Sequence, residues 1–176
     1  FEDLTAGAWY DGGVRYVLEK GLMNGTSAST FSPDAAMTRA MMVTILWRME
    51  KEPAALKSNF TDLTADWYRT AVDWAAETGV VNGVGNGKFA PNATLSLEQL
   101  ITILYRYAEN KGYNVSKSAS LDSFTDGSAV SAYAKPAMQW AVGMGFLSGK
   151  SLNSGAPASR AQIAQVLMLF CKAYIK

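Results

Sequence analysis

The chain has no histidine, which removes imidazole chemistry altogether: no His-based catalytic triad, no histidine metal site, no side chain that titrates near neutral pH in the ordinary way. Cysteine is nearly absent too. Cys171 stands alone, so no disulfide can form within the chain, and its position in an apolar run after Phe170 fits a buried structural thiol. Neither sign of charge is in excess: 16 Lys and Arg stand against 15 Asp and Glu, a formal net charge of +1. That leaves no broad basic field for a nucleic acid and no acidic tail, so any recognition of charge must be local. No apolar run approaches the length that crosses a bilayer, and no basic, apolar, small-residue leader opens the sequence. The expectation is a soluble fragment trimmed to its repeats from something longer.

Two superficial signals also fall away. Gly83-Val84-Gly85-Asn86-Gly87 looks like a phosphate loop, but no strand precedes it and no Gly-Lys-Ser/Thr follows, so it reads as a turn. No carboxylate pair recurs in the manner a glycoside hydrolase needs. No enzyme, cofactor or metal is expected.

What the chain does have is apolar material, 49% of its residues, arranged in a pattern that occurs three times. After Thr38, a natural N-cap, Met41, Met42, Ile45, Leu46 and Met49 recur at helical spacing. Ser96 opens a second such stretch, with Leu100, Ile103, Leu104 and Tyr107, and Ser159 a third, with Ile163, Val166, Leu167 and Phe170. One amphipathic helix cannot bury its own stripe, whereas three copies together can, which predicts an all-α fold with a central three-helix bundle.

Each long helix is preceded by the same series. Phe1-x-Asp3, Phe60-x-Asp62 and Phe124-x-Asp126 open the copies. Trp9-Tyr10, Trp67-Tyr68 and Tyr133-Ala134 start short helices that stop at Gly21, Gly79 and Gly145, and Pro136 falls in a first turn where its missing N–H costs little. Turns at Asn24-Gly25, Asn82-Gly83 and Ser148-Gly149 follow, then Phe31-x-Pro33, Phe89-x-Pro91 and a shortened third loop with Leu152 and Ser154. The copies run 1–52, 59–111 and 123–176, joined by polar linkers of which the second, 110–123, is the longer and expected to be the more mobile. Residues 1–176 are expected to form one cooperative unit.

These motifs, with Thr-Arg-Ala at the start of the long helix, closely resemble the S-layer homology family, whose modules come in tandem threes on bacterial surface proteins. The resemblance covers nearly the whole chain. It implies a pseudo-threefold spindle in which the long helices form the central bundle and the short helices with their loops form three prongs. It further implies that grooves between prongs hold a secondary cell-wall polysaccharide linked to peptidoglycan, commonly pyruvylated, and so anchor a larger protein noncovalently at the cell surface. The partner expected is that glycan, with no nucleic acid and no membrane insertion, and the fragment is expected to be monomeric. The alternative of a different class is a protein–protein interaction module without glycan recognition.

Residue by residue, a ketal-linked pyruvate carries a carboxylate, which suits an Arg at a helix N-terminus beside free backbone N–H groups; Arg39 and Arg160 stand there. Sugars present apolar faces to aromatic rings, for which Trp9, Trp67 and Tyr133 are the candidates, although rings at a helix start also pack beneath it. Asn24, Gly25, Asn82, Gly83, Ser148 and Gly149 offer close approach to the backbone. Leu97 occupies the Arg position of the second copy, beside the negative Glu98, and Lys150 is the candidate cation of the altered third loop. Asp3, Asp62 and Asp126 read as turn or cap residues.

Overall fold

A computed structural model describes residues 1–175. It contains six α-helices and, among the described residues, no strand: α1 (Asp11–Glu19), α2 (Arg39–Met49), α3 (Asp66–Thr78), α4 (Leu97–Asn110), α5 (Lys135–Gly143) and α6 (Arg160–Tyr174). The architecture is all-α, a multi-helix bundle. The N-caps fall where the sequence puts them: Thr38, Ser96 and Ser159 each accept from the N–H three residues on. Gln99 and Gln162 reach back to the cap N–H at 2.9 Å, closing the box that a Glu would close elsewhere. Short helices end in a left-handed glycine; beyond α1, Gly21 N–H reaches Leu18 and Leu22 N–H reaches Val17.

Two compact units make up the chain. One is Met37–Leu95, built on α2 and α3; the other joins Phe1–Ala36 to Ser96–Lys176. Their border cuts through the sequence copies, and the helix pairing explains why. The extensive helix contacts pair α2 with α3, α4 with α5 and α6 with α1. A long helix therefore packs on the short helix of the next copy, and the third copy takes the first as its next. The expected stripes are buried, from Met42, Ile45 and Leu46 through Leu100, Ile103 and Leu104 to Ile163, Val166 and Leu167. Across from them each short helix buries its own face: Val14 and Val17, Val72 and Trp74, Met138 and Trp140. Helical periodicity shows that a stripe needs cover but not which helix provides it.

The linker 110–123, expected to be mobile, is tied down. Ala119 N–H reaches the Gln139 carbonyl on α5 at 3.0 Å, and the Tyr174 hydroxyl on α6 reaches the Asn114 carbonyl at 2.7 Å. Cys171 is a free, buried thiol.

Candidate functional site

The start of each long helix is covered by the loop of the next copy, and a carboxylate sets that loop. In the α2–α3 pair, Asp62 accepts from Phe89 N–H at 2.9 Å and Ala90 N–H at 2.8 Å. Ala90 is left-handed, with φ 57°, a conformation that a non-glycine residue keeps only when its surroundings hold it there. The turn aims the carbonyls of Pro91 and Ala93 at α2, where they accept from Ala40 and Arg39 N–H at 2.9 Å each. Met41 N–H goes to the Thr38 hydroxyl at 3.1 Å.

The same geometry recurs at α6. Asp3 accepts from Phe31 N–H at 2.8 Å and Ser32 N–H at 2.6 Å, Ser32 has φ 58°, and Pro33 and Ala35 carbonyls receive Ala161 and Arg160 N–H. It recurs again at α4, despite the shortened loop: Asp126 accepts from Leu152 and Asn153 N–H at 2.8 Å each, Asn153 has φ 50°, and Ser154 and Ala156 carbonyls receive Glu98 and Leu97 N–H. Loss of the proline thus leaves the working part of the third loop in register. One expectation needs correction. The first N–H groups of the long helices are not free for an anion, because loop carbonyls and the cap hydroxyl already take them.

The two arginines are laid onto these loops. Arg39 Nε donates to the Phe89 carbonyl at 3.0 Å and an Nη to the Asn82 carbonyl at 2.6 Å, with the guanidinium 4.7 Å from the centre of the Phe89 ring. Arg160 does the same with the Phe31 carbonyl at 2.8 Å, the Asn24 carbonyl at 2.5 Å and the Phe31 ring at 4.5 Å, and is only 6% exposed. Burial lowers the pKa of both guanidiniums, and the carboxylates of Asp62 and Asp3 work against that shift. The arrangement fixes a planar cation on an aromatic face with two of its five donors committed to backbone carbonyls.

Arg39 is thereby brought together with Asn82, and Arg160 with Asn24, through backbone carbonyls. Gly25 and Gly83, expected to admit a ligand, have another use: a Cβ on Gly25 would run into the Phe1 ring, and one on Gly83 would lie 2.6 Å from the Phe60 ring and 2.8 Å from the Lys88 carbonyl. Ser148, Gly149 and Lys150 are exposed, and the Lys150 carbonyl holds Thr125 N–H at 2.9 Å. Of the aromatic candidates, Trp9 is 62% exposed, Trp67 53% and Tyr133 56%, which favours a ring platform over packing beneath the helix. Trp9 and Trp67 each stand edge-on to the following tyrosine, with ring centres 5.4 and 5.0 Å apart.

The sequence pattern of the S-layer homology domain matches residues 1–41, 59–101 and 123–164, most of the chain and all three copies. The chain belongs to the S-layer homology family. S-layer homology modules are non-catalytic and anchor proteins to the bacterial cell wall or S-layer through secondary cell-wall polysaccharide, and this one is extracellular, at the cell surface. It is 30% identical to an endoglucanase of Bacillus sp. (strain KSM-635) over 95% of this chain and 18% of that protein. Over 87% of the chain and 13% of the relative it is 31% identical to the surface-layer 125 kDa protein of Lysinibacillus sphaericus. A cellulosome-anchoring protein of Acetivibrio thermocellus is 25% identical over 65% of the chain and 27% of that protein. The chain thus spans less than a fifth of the length of the first two relatives.

Within this S-layer homology module the α4–α5 pair is built differently. The Arg-on-Phe contact is replaced by two buried leucines, Leu97 and Leu152. In the other pairs a buried tyrosine hydroxyl holds the segment before the short helix, Tyr10 accepting from Thr5 N–H and Tyr68 from Thr64 N–H. The corresponding residue is Ala134, and Glu98 takes over: its carboxylate accepts from Ser131 N–H at 3.0 Å and the Ser131 hydroxyl at 2.6 Å. Burial pushes its pKa up, but hydrogen bonds from Ser131, Ser154 and Tyr133 outweigh burial and hold Glu98 below the usual carboxylate value. Tyr133 is pushed up, by burial first and then by Glu98. Glu98 is 6% exposed and satisfied internally, so its charge is a staple and not a repulsive group facing a ligand.

Proposed function

We propose that this module anchors a larger surface protein by binding pyruvylated, peptidoglycan-linked secondary cell-wall polysaccharide. Arg39 and Arg160 receive the carboxylate, and the exposed rings of Trp9, Trp67 and Tyr133 serve as platforms for sugar faces. The observation that carries this reading is the duplicate setting of the two guanidiniums, each fixed by one phenylalanine ring and two carbonyls while keeping donors in reserve. Asn24, Gly25, Asn82 and Gly83 shape the backbone beside those cations, and Ser148, Gly149 and Lys150 are the exposed counterparts where no arginine stands.

In this proposal residues 1–176 act as one monomeric, cooperative unit of three copies, arranged as the pseudo-threefold spindle that the family resemblance implies, with the glycan in grooves between prongs. The names of the relatives, an anchoring protein and a surface-layer protein among them, support a fastening role. Binding to purified wall polysaccharide, with and without removal of its ketal-linked pyruvate, tests the reading. Loss of binding on pyruvate removal supports it. Equal retention of both preparations overturns the carboxylate as determinant, and no retention of either favours a module that binds protein partners instead.

A further inference from the structure

Resting on that reading, we propose that Asp3 and Asp62 are positioning residues for ligand recognition: each sets, through one phenylalanine, the guanidinium that meets the anion. The relay is short. Asp3 binds Phe31 N–H, and the ring and carbonyl of that same residue hold Arg160; Asp62 binds Phe89 N–H, and the ring and carbonyl of Phe89 hold Arg39. Because N–H, ring and carbonyl belong to one residue, a rotation of that residue carries all three together. The residue after each phenylalanine is left-handed, Ser32 at φ 58° and Ala90 at φ 57°, and has its N–H on the second carboxylate oxygen. A non-glycine residue relaxes out of that region when nothing opposes it. Without the carboxylate the phenylalanine turns, and the guanidinium loses both its seat and one carbonyl.

The molecule carries its own control. Asp126 makes the same two bonds, to Leu152 and Asn153, and its loop caps α4 in the same register, but Leu97 replaces the arginine. Capping a long helix is therefore common to all three carboxylates, whereas setting a cation belongs to two. The direct electrostatic effect of the carboxylates runs the other way: removing a negative charge near Arg39 or Arg160 strengthens attraction for an anion. A fall in affinity on Asp→Asn substitution thus reads geometry and not charge.

The test uses the full chain and two readouts. Hydrogen exchange of the arginine Nε–H groups, followed by nuclear magnetic resonance without ligand, reports the seat of each guanidinium. Asp3→Asn should speed Arg160 Nε–H exchange about tenfold and leave Arg39 unchanged, Asp62→Asn should do the reverse, and Asp126→Asn should affect neither. Titration with a pyruvylated wall-polysaccharide fragment should show affinity about tenfold weaker for Asp3→Asn in an Arg39→Ala background, with Asp126→Asn matching its parent. If the Asn variants do not fold, Asp3→Glu and Asp62→Glu, which keep the charge but shift the carboxylate by one methylene, carry the same comparison. Arg160 Nε–H exchange within about twofold of wild type in Asp3→Asn, or equal acceleration in Asp126→Asn, overturns the relay. Failure of the wild type to bind the fragment defeats the anchoring reading, while the exchange readout still decides the relay.

Discussion

Glu98 and Ser131 are joined twice, hydroxyl to Oε1 at 2.6 Å and backbone N–H to Oε2 at 3.0 Å, which fastens the approach to α5 onto the first turn of α4. Glu98→Ala leaves two polar groups of Ser131 without this acceptor and should destabilise the module by about 1–3 kcal/mol, with Glu98→Gln costing less because one acceptor remains. Urea unfolding of the two variants checks the order. Equal stability of Glu98→Ala and wild type would mean that the staple contributes nothing.

Arg39→Ala and Arg160→Ala should each remove a charge-assisted contact worth on the order of 1.5–3 kcal/mol to binding of a pyruvylated wall fragment, while Leu97→Ala should leave anion recognition nearly unchanged. Arg→Lys should rescue only in part, because an ammonium keeps the charge but cannot bridge two carbonyls as a planar fork does. Calorimetric titration measures all of these. Unchanged affinity in both alanine variants, with circular dichroism intact, would place the site elsewhere.

Acid should open the loops. Asp3 and Asp126 lie below the ordinary value of 3.8, led by the N–H groups of Phe31 and Leu152; burial pushes Asp62 up, but Phe89 and Ala90 N–H outweigh it, and it too lies below 3.8. A carboxylate depressed in the folded state contributes its full stability above its unfolded pKa and loses it as pH falls through the folded one. Stability from this source should thus be level from neutrality to about pH 5 and decline below the unfolded value of about 3.9. Asp126→Asn, distant in function from either arginine, should flatten part of that acid limb. Thermal melts at stepped pH check this, and an identical acid limb in both proteins would argue against the clamp.

Gly25→Ala and Gly83→Ala should lower stability by about 1–3 kcal/mol through overpacking against Phe1 and Phe60, with little direct loss of ligand contacts. Pairing Gly83→Ala with Phe60→Leu should recover part of the loss, which a melting comparison can read. No recovery would indicate that the Lys88 carbonyl, 2.8 Å from the added carbon, is the dominant obstacle.

Local features were legible in the sequence because local chemistry fixes them. The caps at Thr38, Ser96 and Ser159, the stripe from Met42 to Leu46 and its two repeats, and the stop at Gly21 depend only on neighbours along the chain. Asp3, Asp62 and Asp126 were readable as turn-setting groups, though not as holders of loops some 28 residues away. Which phenylalanine lies beneath which arginine was not legible: Phe31 and Arg160 are 129 residues apart, and repetition offers three equally good partners for every element. Glu98 misled for a related reason. Its sequence neighbour Leu97 marks a missing cation, but its carboxylate answers a vacancy at Ala134, where the other copies have tyrosine.

The offset between sequence copies and helix pairs has a consequence for biosynthesis. As these residues are made from N- to C-terminus, α3 meets an α2 already made and α5 meets an α4 already made, but among the described helices α1 pairs with α6, which follows it only after the other four. Until then its apolar face, Val14 and Val17, stays open.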